Sequence, residues 1–131
     1  MNTLTKKEFR LYQNLGKLFY AVAVCDGTVN YEEIQKFNHI IKTYWSHYTK
    51  NEEALTTMLS TFEWLTNDNE YNSETCFKEF VNYKTKHQDV FNDSTLIQLI
   101  LKTTNGIASS FSSVNKSELI ILAKIEMVLK S

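Results

Sequence analysis

The chain has 131 residues, of which 43% are hydrophobic and 22% charged, and its formal net charge is −1. This composition is typical of a globular domain and excludes a disordered chain. Near-neutral charge argues against nucleic-acid binding, because nucleic-acid-binding domains usually carry a basic face. No apolar run reaches the roughly 20 residues that span a membrane, and the N-terminal segment lacks the apolar stretch of a signal peptide. We therefore expect one cytoplasmic domain over residues 1–131 that does not insert into membranes.

The pattern of apolar residues predicts an all-α fold. The chain has no proline and only three glycines, and these two residue types are the usual interrupters of helices. Apolar residues recur at three- and four-residue spacing. The spacing predicts a single compact bundle of about six helices, near residues 5–25, 30–47, 52–66, 73–89, 93–111 and 116–130. The short loops between them favour antiparallel neighbours.

Polar residues mark the predicted helix starts. Three starts show the spacing of a capping box, in which a Thr or Asn precedes a Glu by three residues: Thr5 and Glu8, Asn30 and Glu33, Asn115 and Glu118. Simpler cap candidates are Asn51, Ser73, and either Asn92 or Asp93.

Several residues of the predicted helices are core candidates. The first helix has a buried stripe that includes Phe9, and Gly16 within this stripe permits close approach of a neighbouring helix. Trp45 and Trp64 fall near helix ends, where we expect them to pack inside. An exposed surface formed by Trp45 and Tyr48 is the alternative, and it would anchor a partner protein.

Acidic residues are concentrated in the middle of the chain, and the two cysteines stand apart. Residues 52–79 hold one Lys and seven acidic residues, a net charge of −6, between two mildly basic segments. We interpret this segment as a solvated helix face, with a docking surface as the alternative. Cys25 and Cys76 belong to no C-x-x-C pair, and we expect both to be reduced thiols.

One pattern occurs twice in the chain. Residues 23–34, AVCDGTVNYEEI, align without gaps with residues 108–119, ASSFSSVNKSEL, and the Ala, Val, Asn and Glu positions coincide. Each copy is predicted to end one helix, make a short turn and cap the next. The pattern therefore predicts two pseudo-repeated helix-turn-helix units, flanking a central pair of helices.

The first copy resembles the TerB-like domain, the tellurite-resistance-associated helical domain of bacteria, at Asp26, Gly27, Val29 and Glu33. The resemblance implies an all-helical, pseudo-symmetric domain associated with stress and metal-ion responses, whose biochemical activity is poorly defined. Some members are proposed to bind metal through the acidic residues of the motif. In the second copy Phe111 and Ser112 replace the Asp-Gly pair, which removes any second acidic site.

Two interpretations of the acidic residues in this motif are open. In the first, Asp26 and Gly27 form a turn in which Gly27 takes a positive φ, and Glu33 completes a capping box with Asn30. In the second, Asp26 and Glu33 share a hard divalent cation such as Ca²⁺ or Mg²⁺. No other cofactor is implied.

Other candidate sites are weaker. Asp68, Glu70 and Asn72, with Glu79 in the twelfth place, imitate an EF-hand loop, but Ser73 stands where such a loop needs glycine. The three histidines, at 39, 47 and 87, are too scattered for a zinc site. The serines at 109, 110, 112 and 113 have no base and acid to activate them.

These observations favour a TerB-like module that acts by binding, not an enzyme. We expect it to bind a partner protein and a divalent cation in a stress or metal-ion response, and not nucleic acid. A metal-dependent enzyme is one alternative, although only Asp26, Glu32 and Glu33 lie close together in the sequence as titratable groups. A purely structural interaction domain without a ligand is the other, and a homo-oligomer is left open.

Overall fold

The computed structural model describes residues 3–25, 27–68, 70–111 and 116–131, which form an all-α fold. Its six helices, in chain order, are α1 (Lys6–Ala23), α2 (Tyr31–Trp45), α3 (Glu52–Asp68), α4 (Ser73–Lys86), α5 (Ser94–Ser110) and α6 (Lys116–Lys130). The predicted helices are confirmed, with ends that differ by no more than three residues. None of the helices in these ranges is long and apolar enough to cross a membrane.

Side-chain caps begin the first two helices as the spacing predicts. At each start, the side chain at the N-cap accepts a hydrogen bond from the Glu amide and the Glu carboxylate accepts one from the cap amide. These pairs are Thr5 with Glu8 and Asn30 with Glu33. Reciprocal hydrogen bonds of this kind satisfy amides that have no partner within the helix. Asn115, the predicted cap of α6, lies outside the described residues.

The start of α4 differs from the prediction by one residue. Asn72, not Ser73, is the N-cap, because its side chain accepts a hydrogen bond from the amide of Thr75 at 2.8 Å. The hydroxyl of Ser73 instead donates to the carbonyl oxygen of Ala21 at 2.6 Å. Ser73 therefore joins the start of α4 to the end of α1.

Helix α1 lies at the centre of the bundle, where it packs against α3, α4, α5 and α6. Residues 18–23 of this helix are all buried, and a helix that is apolar on every side is stable only when other elements surround it. Helix α2 packs against α3 and α5, and α6 packs against α5.

This arrangement corrects the prediction of two hairpins that flank a central pair. Within the described residues, α1 does not pack closely along α2, nor α3 along α4. Helices α1 and α3 run parallel, since the amide of Leu4 donates to Glu53 near their starts and Gly16 meets Thr61 farther along. In the described ranges, the short loops therefore join packed neighbours at α2–α3 and α5–α6, but not at α1–α2 or α3–α4, where α1 packs against α3 and α4 instead.

The core contains a cluster of aromatic side chains between α1, α2 and α3. The rings of Phe37 and Phe62 stack with centroids 3.8 Å apart, and Phe19 contacts both Phe37 and Trp45. The indole of Trp45 donates to the hydroxyl of Thr103 at 2.9 Å, inside the core. This bond satisfies the polar atom of a completely buried ring, as burial of an indole requires.

Gly16 is the point of closest approach between α1 and α3. A Cβ atom at position 16 would lie 2.8 Å from the Cβ of Thr61 and 3.2 Å from the carbonyl oxygen of Met58. Neither atom is the free end of a flexible side chain, so one helix would have to move. The expectation that Gly16 permits close approach of a neighbouring helix is confirmed.

We expect Gly16→Ala to lower the free energy of unfolding by about 1 kcal/mol or more, measured by urea denaturation. Overpacking typically costs about 1–3 kcal/mol, which exceeds the gain of up to about 1 kcal/mol from removing a helical glycine. Gly27→Ala is the matched control, because a Cβ there meets nothing within 4 Å. Equal effects of the two substitutions would contradict the steric account.

A hydrogen bond between Tyr48 and Asp93 joins the turn after α2 to the start of α5. The Tyr48 hydroxyl donates to the Asp93 carboxylate at 2.9 Å, and Asp93 is the N-cap of α5. This bond, together with the capping amides of Leu96 and Thr95, lowers the pKa of Asp93. Burial and the neighbouring carboxylate raise the pKa of Tyr48.

The lowered pKa of Asp93 predicts a pH-dependent contribution to stability. The contribution is present above the ordinary pKa of 3.8 and is lost as the pH falls through the lower folded value. Asp93→Asn retains a capping side chain but does not titrate. The melting temperature of wild type should therefore exceed that of Asp93→Asn at neutral pH, and the difference should disappear in acid. A difference in melting temperature that does not change with pH would contradict this interpretation.

Candidate functional site

The acidic motif between α1 and α2 is described only in part. Asp26 lies outside the described residues. Glu33 is half-buried, and one of its carboxylate oxygens accepts the amide of Asn30 at 3.0 Å while its own amide donates to the Asn30 side chain at 2.9 Å. Glu33 thus has a capping role, and its role as a metal ligand with Asp26 stays a prediction.

The turn at Gly27 differs from the expectation. Its φ does not lie in the left-handed region, so the prediction of a positive φ is wrong. The amide of Gly27 donates to the carbonyl oxygen of Val24 at 3.2 Å. This bond joins Gly27 to the C-cap residue of α1. A cleft of about 530 Å³ beside this turn contains no acidic residue in its described lining.

In the second copy of the motif, Phe111 has a packing role. It is buried, and its ring meets that of Phe62 edge-on with centroids 6.4 Å apart. The Lys36 ammonium donates to the carbonyl oxygen of Ser110 at 2.9 Å, where α5 ends. The side chain at the position that corresponds to Asp26 is therefore part of the core.

The residues that imitate an EF-hand have other partners. Asn72 caps α4, and the Glu79 carboxylate binds the Lys17 ammonium of α1 at 2.8 Å. Across the described ranges, no group of three or more His, Cys, Asp or Glu side chains is placed to hold a metal ion. Cys76 is buried, and burial raises the pKa of its thiol to about 11, so the thiol is protonated at neutral pH.

Of the two tryptophans, one is in the core and one is on the surface. Trp45 is completely buried, so the alternative of an exposed Trp45–Tyr48 anchor is wrong. Trp64 is 53% exposed, and the expectation that it packs inside is also wrong. Phe62 and Leu65 supply the buried stripe of α3, and Trp64 lies between them in sequence on the outward side of the helix.

Trp64 belongs to a group of exposed aromatic side chains. Its ring lies against that of Tyr71, with centroids 5.6 Å apart and planes inclined at 44°. Tyr71 is 37% exposed, and Phe9, predicted to lie in the core, is 46% exposed. Phe9 and Trp64 both line a groove of about 310 Å³ that follows α1 and α3. We call Phe9, Trp64 and Tyr71 the aromatic surface.

The surroundings of the aromatic surface are polar and acidic. Short hydroxyl side chains of α3 and one amide of α1 complete most of the groove: Thr56, Thr57, Ser60, Thr61 and Gln13. Glu63 precedes Trp64, Glu70 precedes Tyr71 and Asp68 lies between the two rings in sequence, and none of the three forms an ion pair with another described residue. The acidic segment recognised in the sequence therefore contains the exposed aromatic pair.

A second apolar area lies on α6. Leu119, Ile120 and Met127 are exposed on this helix. Ile120 also lines a groove of about 370 Å³ between α4 and α6. The side chains of this area are aliphatic or thioether groups, without the rings that distinguish the aromatic surface.

Comparison with protein-family models, with curated proteins and with solved structures finds no match to this chain. The resemblance to TerB-like domains therefore rests on the motif residues alone, and the surface chemistry carries the functional argument.

The metal hypothesis makes a prediction that separates capping from ligation at Glu33. Gln at this position still accepts the capping hydrogen bond, but it lacks the carboxylate charge that a hard cation prefers. Millimolar Ca²⁺ or Mg²⁺ should raise the melting temperature of wild type, because the ion binds only the folded state. Glu33→Gln should reduce this rise, whereas in the absence of the ion it should lower stability by no more than about 1 kcal/mol, the contribution of an acid in the first turn of a helix.

Amide NMR locates the ion in the same experiment. Shifts centred on residues 26–33 that are absent in Asp26→Asn support the shared site. If wild type and both variants respond identically, or if none responds, the metal hypothesis is wrong. Asp26 is then a turn residue and Glu33 a capping residue.

Proposed function

We propose that this protein is a non-enzymatic helical binding module, and that a partner protein docks on its aromatic surface. The resemblance of its motif to TerB-like domains favours a place in a stress or metal-ion response. Binding of a divalent cation at Asp26 and Glu33 belongs to the same proposal, as a second ligand tested separately.

The exposure of Trp64 is the observation that supports docking at this surface. Leaving a large aromatic ring in water forgoes the stabilisation of about 1.5–3 kcal/mol that burial of such a side chain provides. Trp and Tyr are enriched among the residues that dominate the energy of protein interfaces. Trp64 and Tyr71 contact each other on the surface, so together they offer a partner one continuous aromatic area.

The apolar area of α6 supports docking less strongly. Leu is under-represented among the residues that dominate interface energies, whereas Trp and Tyr are enriched, and the α6 area has no aromatic ring. The α6 area therefore serves as the control surface.

We expect Trp64→Ala to weaken partner binding by about 30-fold or more, since a dominant interface residue contributes about 2 kcal/mol or more. Partners cross-linked to wild type in its host cells identify the complex, and calorimetry with the purified partner measures the affinity. Trp64→Phe should retain part of the binding.

Leu119→Ala is the matched control, because it shortens an equally exposed apolar side chain on α6. Urea denaturation should show both variants to be as stable as wild type within about 0.5 kcal/mol, as usual for surface substitutions. A partner that binds Trp64→Ala as tightly as wild type, or that requires Leu119, is inconsistent with the proposed surface.

A further inference from the structure

We infer that the segment of the partner that docks at Trp64 and Tyr71 is basic and presents an arginine side chain to the aromatic pair. This inference rests on the proposed function and adds the chemical class of the partner. It follows from two features that occur together, the geometry of the two rings and the sign of the charges around them.

The two rings form an open surface suited to a cation. Their centroids are 5.6 Å apart and their planes are inclined at 44°, so a flat group can lie on one ring while its edge meets the other. Cations within about 6 Å of an aromatic centroid are attracted by the ring quadrupole, and Trp is the strongest acceptor. A contact of this kind occurs elsewhere among the described residues, where the Lys102 ammonium lies 4.4 Å from the centroid of Tyr44.

The charges next to the rings are acidic and lack counterions. Glu63 precedes Trp64, Asp68 follows it by one helical turn, and Glu70 precedes Tyr71. None of the three carboxylates has an ion-pair partner in the described part of the chain. Electrostatic complementarity at interfaces places a positive surface of one partner against a negative surface of the other, so these carboxylates select a basic segment.

Two acids of α4 differ from these three. Glu74 pairs with Lys78 at 3.0 Å, and Glu79 pairs with Lys17 at 2.8 Å. Lys17 lines the groove beside Trp64, but its ammonium is bound to Glu79 and offers an anionic ligand little attraction. The acids of segment 52–79 without an ion pair in the described part of the chain are therefore Glu52 and Glu53 at the start of α3, and the three that flank Trp64 and Tyr71 in sequence.

The opposite end of the groove has a different charge. Lys6, Arg10 and Glu53 line the pocket around Phe9, where the net charge is positive, so a basic side chain is favoured at the Trp64 end and less favoured at the Phe9 end. This asymmetry predicts that the basic residue of the partner lies over Trp64 and Tyr71, and that a neutral apolar residue lies over Phe9.

Arginine fits the aromatic pair better than lysine. Its planar guanidinium stacks on aromatic rings and forms paired hydrogen bonds with carboxylates, whereas the lysine ammonium is a strongly hydrated point charge. Asp68, one helical turn after Trp64 and therefore on the same side of α3, is the carboxylate best placed in sequence to receive the N–H groups of a side chain stacked on the ring.

The test uses the indole N–H signals of the intact protein, because the chain has only two tryptophans. The probes are capped peptides of about eight residues that alternate serine with arginine, lysine, glutamine or glutamate. The arginine peptide should shift the Trp64 indole signal and leave that of Trp45, which is buried and bonded to Thr103, unchanged. Its affinity should exceed that of the lysine peptide and fall as salt is added, because ions screen exposed charges.

The triple substitution of Glu63→Gln, Asp68→Asn and Glu70→Gln should lower the affinity for the arginine peptide by about tenfold. Each exposed charge pair contributes up to about 1 kcal/mol to binding. The control makes the same change in net charge away from the rings, with Glu32→Gln, Asp89→Asn and Glu126→Gln combined. An equal loss in both triple variants assigns the effect to total charge and overturns the inference.

The remaining outcomes also decide the question. If the glutamine or glutamate peptide binds as tightly as the arginine peptide, or if millimolar arginine peptide shifts no signal, the inference of a basic partner is overturned. The calorimetric test of Trp64→Ala decides separately whether this surface docks a partner. Self-association of wild type that Trp64→Ala abolishes makes a second copy of the chain the occupant, and it too overturns the inference.

Discussion

The burial of α1 determines how the other helices are placed. Residues 18–23 of this helix are enclosed on all sides, and four helices pack around it. Enclosure requires close approach, which Gly16 allows, since its missing side chain admits Thr61 of α3. Because interiors are packed at nearly crystalline density, this contact leaves α3 little freedom to rotate about its own axis.

The orientation of α3 in turn decides which of its residues face solvent. With Met58, Phe62 and Leu65 directed into the core, Trp64 lies on the outer side of the helix, between buried positions in sequence but not in space. On another side of α1, an ion pair between Lys17 and Glu79 and a hydrogen bond between Ser73 and Ala21 fix the position of α4. The aromatic surface is thus a consequence of how the centre of the bundle is packed.

The two copies of the repeated motif have diverged at the turn. In the first copy Glu33 and Asn30 form a capping box at the solvent-exposed start of α2. In the second, Phe111 at the end of α5 is buried against Phe62. Corresponding positions of the pattern therefore differ in environment, because the burial of a helix end depends on the neighbouring helices and not on the local sequence alone.

The sequence by itself determined the helices, two capping boxes and most of the core, because helix periodicity and end chemistry are local properties. It also located the acidic segment 52–79, since charge can be counted from residues. Only the tertiary structure decided that α1 is central, that α1 and α3 are parallel, and that Trp45 is buried while Trp64 is exposed. Both tryptophans lie in amphipathic helices, and the side of a helix that faces the core depends on contacts between residues distant in sequence. Such contacts leave no local pattern to read.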